Sequence, residues 1–190
     1  MASKSFSLVF RCAHLNLNHT RRVNIQLAQD ITRFSYDLVN DPYVFENRIS
    51  EFPLHFRKFH HNCKPLAGII VSNSDYKVFP LLIDRNIVAV EIVFGNELLV
   101  LISIYCLPNA NIENDLAVLQ SLILNNGQKK ILIFGDFNAT SPLWGKRGMG
   151  DRGRKVADLV FNNDLFIVNN SDSPPSYWTS GKKLDRFGIS

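Results

Sequence analysis

Between Ile87 and Tyr105 the chain reads IVAVEIVFGNELLVLISIY. Two β-branched apolar runs, Ile87 to Phe94 and Leu98 to Tyr105, are parted by FGNE. Gly95 at the first central position suits a two-residue type II′ turn, so the stretch is predicted to be a β-hairpin. A hairpin this apolar has to be covered by further layers, and the rest of the sequence must supply them.

It does so with mixed elements. Ser7 to Asn18 alternates loosely and reads as a first strand. Thr20 is placed to cap a helix over Arg21 to Phe34, with Val23, Leu27 and Ile31 on one face. Asp37 to Val39 reads as a short strand ending at Asp41-Pro42, because a residue before proline favours extended geometry. Leu66 to Ser72 and Lys77 to Ile83 are the next strands. Asn111 caps a helix whose apolar stripe is Ile112, Leu116, Leu119 and Ile123, with Gly127 after its end. Ile131 to Phe134 is a central strand, and Arg152 to Asn163 a third helix. Leu165 to Asn169, Ser176 to Thr179 and Leu184 to Ile189 read as short strands. Hairpins interleaved with βα units imply one α/β domain over the 190 residues: two packed mixed β-sheets flanked by helices, a four-layer sandwich.

Several apolar strands end in amides and acids. LNLN carries Asn16 and Asn18, LVNDPY carries Asp41, ISIYCLPNAN carries Tyr105 and Asn109, and KILIFGDFNATSPLWG carries Asp136 and Asn138. Carboxyl ends of neighbouring strands are where open α/β sheets bind ligands. Side chains two apart on an extended segment point the same way, so Asp136 and Asn138 are expected to reach one point. Oxygen donors of this kind suit Mg²⁺, which takes one or two carboxylates together with waters and phosphate. A carboxylate beside an amide also suits the orienting of a water for attack on phosphorus.

Charge adds to this. From Lys146 to Lys155 the bases Lys146, Arg147, Arg152, Arg154 and Lys155 face the single acid Asp151, an excess equal to the whole chain's +4. The rest of the chain is therefore neutral, and a polyanionic ligand beside the Asp136 loop is one reading of the run; a solvated helix start is the other. Trp144 either stacks on a base or packs beneath the basic helix. HFRKFHHNC, residues 55–63, matches no zinc spacing and reads as a surface loop that brings Arg57 and Lys58 near substrate. Three widely spaced cysteines suggest no disulfide framework and a reducing intracellular compartment. No apolar run approaches the roughly 20 residues that cross a bilayer, no signal peptide is visible, and neither a P-loop nor a Ser-His-Asp set is present.

LNLN, NDPY, SIYCLPNAN, IFGDFNA and KKLDRFGIS, in that order, resemble the endonuclease/exonuclease/phosphatase superfamily. FNATSPLWGKRG, ENRISEFP and NNSDSPPSYW look more narrowly like the endonuclease domain of non-LTR retrotransposons. The resemblance implies a metal-dependent phosphodiesterase that nicks DNA and leaves a 3′-hydroxyl for a linked reverse transcriptase, which places its work in the nucleus. It implies Mg²⁺ (or Mn²⁺) at Asp41, Asn18 and Asn16. Tyr105, Asn109 and Asn138 match phosphate-contacting positions, Asp136 the residue that handles the attacking water, and Asp185 the aspartate that orients a catalytic histidine. Lys146, Arg147, Arg152 and Arg154 would grip the DNA backbone.

The sequence departs from the family in three ways. Asp41 stands where the family has glutamate, so its carboxylate sits about 1.5 Å back. Thr140 stands where retrotransposon relatives often have histidine. The chain ends at Ser190, and none of His14, His19, His55, His60 or His61 matches the family's Ser-Asp-His motif. The expectation is a domain lacking its last strand, and the alternative to an active nuclease is a catalytically impaired remnant that at most binds nucleic acid.

Overall fold

A computed structural model describes residues 11–14, 21–34, 36, 38–40, 44–45, 47–49, 51–145, 148–168, 177–179 and 182–184. In chain order the elements are β1 (Cys12–His14), α1 (Arg21–Phe34), β2 (Leu38–Asn40), β3 (Val44–Phe45), β4 (Arg48–Ile49), β5 (Arg57–His60), β6 (Gly68–Val71), β7 (Lys77–Ile83), β8 (Ile87–Phe94), β9 (Glu97–Tyr105), α2 (Ile112–Asn125), β10 (Lys130–Asp136), α3 (Asp151–Asn162), β11 (Tyr177–Thr179) and β12 (Lys182–Leu184). Two four-stranded sheets, ordered β1-β2-β6-β5 and β10-β9-β8-β7, are accompanied by the small pairs β3-β4 and β11-β12.

The hairpin forms as its sequence requires. β8 and β9 pair antiparallel from Ile87↔Ile104 to Phe94↔Glu97, leaving Gly95 and Asn96 as the two-residue turn. Gly95 has φ +60° while Asn96 is not among the positive-φ residues, the signature of a type II′ turn. Alternation then separates the two faces of the strands. Val88, Val90, Ile92 and Leu101 face β6 (Ile69, Val71) with Ala67, and this is the core between the sheets. Ala89, Val100, Ile102, Ile104 and Ile133 face the other way, against α2 and α3. Beyond the first sheet, Leu27 and Ile31 of α1 pack with Ile70, Phe52 and Phe56. The layers therefore run α1, sheet, sheet, then α2 with α3. The apolar hairpin is covered on both faces, which is why it lacks the polar alternation of a half-exposed strand.

α2 begins at Asn111, whose side chain accepts from Glu113 N, and it buries Ile112, Leu116, Leu119 and Ile123 as its spacing predicts. It is tied to α3 by the reciprocal amide pair of Gln120 and Asn163 (2.7 and 2.8 Å) and by Lys155 on Glu113 at 2.5 Å. The Lys155 contact holds the Glu113 carboxyl below its ordinary range.

Some expectations change. Of the predicted first strand, Cys12–His14 is strand, Arg11 is described but outside it, and residues 7–10 and 15–18 lie outside the described residues, as does Thr20. Residues 57–60 are not a loop near substrate but the edge strand β5, paired with β6. Arg57 there donates to Tyr76 O and Asn73 O, both at 2.6 Å, and Lys58 to Phe52 O at 3.2 Å. The polar sequence RKFH conceals a strand because an edge needs burial on one side only. Residues 165–168 alternate half-buried and exposed yet carry no ladder; Leu165 and Ile167 pack on the helix-side core instead. Lys182–Leu184 is strand, and of the last predicted strand, Leu184 to Ile189, all but Leu184 lies outside the described residues.

Leu119 is fully buried and Leu124 is 69% exposed on the same helix. Leu119→Ala is expected to destabilise the fold by about 2–5 kcal/mol and Leu124→Ala by less than about 0.5 kcal/mol, read from urea unfolding midpoints.

Candidate active site

β9 and β10 run parallel and in register from Lys130↔Leu99 to Asp136↔Tyr105, so Asp136 and Tyr105 leave the sheet side by side. The pairing depends on Gly135. A Cβ at that position would lie 2.0 Å from Ile104 O and 2.5 Å from Ile104 Cγ2. Glycine inside a strand often marks such a close backbone approach. The GDFN segment is thus strand through Asp136 rather than a turn that starts at its glycine.

Beyond Asp136 the backbone turns at once. Asn138 has φ +46°, a left-handed conformation that asparagine tolerates better than most residues. Its N–H donates to Asp136 Oδ1 at 2.9 Å, and its side-chain Nδ2 donates to Cys106 O at 2.9 Å. Asp136 and Asn138 therefore meet through a side-chain-closed turn, and the extended geometry expected of them is corrected. The turn fastens the end of β10 to the residue after β9, where Cys106 N also donates to Asp136 O at 2.8 Å. Cys106 is fully buried; burial, then the Asp115 carboxylate, pushes its thiol well above the ordinary range and keeps it neutral.

The loop after Asn138 folds inward. Trp144 is 4% exposed and its indole N–H donates to Ala139 O at 3.1 Å, so it is a packing residue and base stacking is ruled out for it in this arrangement. α3 then presses its backbone on the same loop. Gly150 N donates to Thr140 O at 3.0 Å, and a Cβ on Gly153 would lie 1.8 Å from that oxygen.

The first sheet repeats the design. β1 and β2 are parallel, with His14 opposite Asn40, so both end on the same side. β6 runs antiparallel to β2, and Ile69, its second residue, pairs with Asn40. Just before β6, the N–H groups of Leu66 and Ala67 donate to Arg85 O at 2.8 and 3.2 Å, while Tyr105 N donates to Asn86 O at 2.9 Å. The turn between β7 and β8 thus bridges the two sheets at one end of the sandwich. The carboxyl ends of both parallel pairs meet there. Asn86 further donates to Asp115 of α2 at 3.4 Å. The bridge was not legible in the sequence, because Arg85 and Asn86 act through backbone oxygens that any residue carries.

The other expected residues are distributed as follows. Asn109 is exposed in the loop between β9 and α2, and Tyr105 is half-buried. Arg154 is exposed and paired with Asp151 at 2.8 Å. Arg152 donates from Nε to Asn138 O (3.0 Å), from Nη2 to Phe137 O (3.0 Å) and from Nη1 to Ala110 O (2.6 Å). Asn16, Asn18, Asp41, Lys146, Arg147 and Asp185 lie outside the described residues. Among the described residues no three His, Cys, Asp or Glu side chains are grouped to hold a metal, and no helix is long and apolar enough to cross a membrane.

Residues 99–186 match the family described as endonuclease-reverse transcriptase. The structure is similar to the endonuclease domain of TRAS1, a telomere-specific non-LTR retrotransposon, with TM-score 0.82 and 26% identity over 95% of this chain and 84% of that one. An endonuclease/exonuclease/phosphatase family protein from Leptotrichia buccalis shares the fold at TM-score 0.53 and 16% identity, over 95% of this chain and 86% of that one. No curated protein matches the sequence.

Gly135→Ala is expected to cost about 1–3 kcal/mol by overpacking β9 against β10, seen as a lowered urea midpoint. In thiol labelling of the native protein at pH 8, exposed Cys63 is expected to react first and buried Cys106 only with unfolding, as mass analysis of labelled peptides would record.

Proposed function

We propose that the chain, whose residues 99–186 match the endonuclease-reverse transcriptase family and whose fold is similar to the TRAS1 endonuclease domain, is a metal-dependent endonuclease of the endonuclease/exonuclease/phosphatase superfamily, of retrotransposon type. In this reading it nicks one DNA strand and leaves a 3′-hydroxyl from which a reverse transcriptase of the same element primes synthesis, at chromosomal DNA in the nucleus. The observation that carries the reading is the convergence of four strand ends, β1, β2, β9 and β10, on one end of the sandwich, two of them ending in Tyr105 and Asp136 and two followed in sequence by Asn16, Asn18 and Asp41.

The donor chemistry fits a hard cation. The carboxylate of Asp41 and the amides of Asn18 and Asn16 follow the ends of β1 and β2 in the chain, and all are oxygen ligands of the kind Mg²⁺ or Mn²⁺ takes. When bound, such an ion neutralises charge on the phosphate. The work of the chain's own groups is as follows. Asp136 orients a water and takes its proton as the water's oxygen bonds to phosphorus and the P–O3′ bond breaks. Asn138 keeps one Asp136 oxygen oriented through its backbone N–H. Its Nδ2 carries two hydrogens, so the bond to Cys106 O and a bond to a phosphate oxygen are compatible. Tyr105 and Asn109 hold further phosphate oxygens, Asp185 matches the position that orients a histidine in the family, and in this chain the departing 3′-oxygen takes its proton from water. Arg154 with Lys146 and Arg147 supplies sequence-independent attraction to the backbone; the exposed Arg154–Asp151 pair is weak enough to yield to a phosphate.

Nicking of supercoiled plasmid with Mg²⁺ tests this reading. The wild-type chain is expected to convert plasmid to the open circle, and Asp136→Ala to slow the conversion at least about 10²-fold. Plasmid that is retarded in a gel but never nicked by either protein would leave the binding remnant as the reading.

A further inference from the structure

The two loops proposed to contact phosphate are joined near their starts by Asn138 on Cys106 O, and farther out by a second side chain, Arg152. It lies in the first turn of α3, where the helix dipole disfavours a cation, and the N-cap Gly150 provides no side-chain cap. A cation in that position needs strong local acceptors, and Arg152 has three backbone carbonyls. Two, Phe137 O and Asn138 O, belong to the loop after Asp136. The third, Ala110 O, belongs to the loop after Tyr105, one residue beyond Asn109. That second loop is thereby pinned at both ends, at Cys106 by Asn138 and at Ala110 by Arg152.

We propose that Arg152 is a positioning residue for phosphodiester cleavage: its guanidinium sets the spacing between Asn109 and Asn138 and does not itself grip DNA. The mechanistic part rests on the function proposed above; the clamp rests on the geometry alone. Anchoring of α3 does not require Arg152, because the helix is already fixed to the Asp136 loop by the contact of Gly150 and Gly153 with Thr140 and to α2 by Lys155 on Glu113. What Arg152 adds to the Asn138–Cys106 bond is a second link between the loops, at the Ala110 end beside Asn109. A lysine keeps the charge but, as a point donor on a flexible stem, cannot span three carbonyls in a planar fork.

The test compares Arg152→Lys and Arg152→Ala with wild type in nicking kinetics, in the salt dependence of DNA binding and in thermal unfolding. Arg152→Lys is expected to stay folded, to lose about 10²-fold in kcat, and to keep its KM and the slope of log K against log salt. Added guanidinium ion is expected to restore at least about tenfold of the kcat lost in Arg152→Ala and none in Arg152→Lys. A normal kcat with weaker binding and a salt slope reduced by about 1 overturns the proposal in favour of direct phosphate contact. A kcat unchanged in both variants overturns it, and so does unfolding of Arg152→Lys, which would mark a purely structural part. If wild type shows no Asp136-dependent nicking, the reaction is in error, and hydrogen exchange decides the clamp separately. Amides 107–111 and 138–140 are expected to exchange faster in Arg152→Lys while those of α2 keep their protection; unchanged exchange in both loops overturns the clamp.

Discussion

Two backbones can run side by side as closely as β9 and β10 do only where one of them has no side chain in the way. Gly135 meets that condition opposite Ile104, one residue before Asp136 and Tyr105 emerge as partners. Everything downstream inherits its position from this pairing. Asn138 can reach Cys106 O because the two loops start level with one another, and Cys106 can return its N–H to Asp136 O for the same reason. The buried thiol between them stays neutral, so the end of the sheet adds no charge that would compete with the Asp136 carboxylate.

The same economy appears at the other sheet, where a parallel pair ends on the same side and a turn, Arg85-Asn86, ties the two ends with main-chain bonds. Backbone oxygens impose geometry without demanding a particular side chain. The architecture thus separates two duties. Main-chain pairing places the strand ends, and side chains at those ends are left for chemistry. Similarity in fold to the TRAS1 endonuclease domain at 26% identity accords with this division, since placement by backbone tolerates extensive side-chain replacement.

What could be read from the residues follows the same division. The hairpin from Ile87 to Tyr105, the helix over Arg21–Phe34 and the Asn111 cap were legible because apolar periodicity and turn chemistry are local. So was the placing of Asp136 and Tyr105 at strand ends, whereas the register that sets them side by side was not. The edge strand at 57–60 was concealed by its polar residues, and the run 165–168 was overread, since alternation reports burial on one side and not the presence of a pairing partner. In sequence Trp144 stays open between stacking on a base and packing beneath the helix, and Arg152 reads as a grip on the DNA backbone, because both sit in or beside a basic run. Their hydrogen bonds to backbone carbonyls are tertiary facts with no local signature.

The two parallel pairs have a consequence for how the molecule assembles. Each is closed by a helical crossover, α1 between β1 and β2 and α2 between β9 and β10. A hairpin such as β8-β9 zips from its turn within microseconds, but a parallel neighbour cannot join until the intervening helix has docked. The strand ends around Asp136 are therefore built from non-local contacts, which carry a loop-closure cost that the hairpin does not. During folding, the geometry around Asp136 should therefore be set after the apolar hairpin beside it has formed.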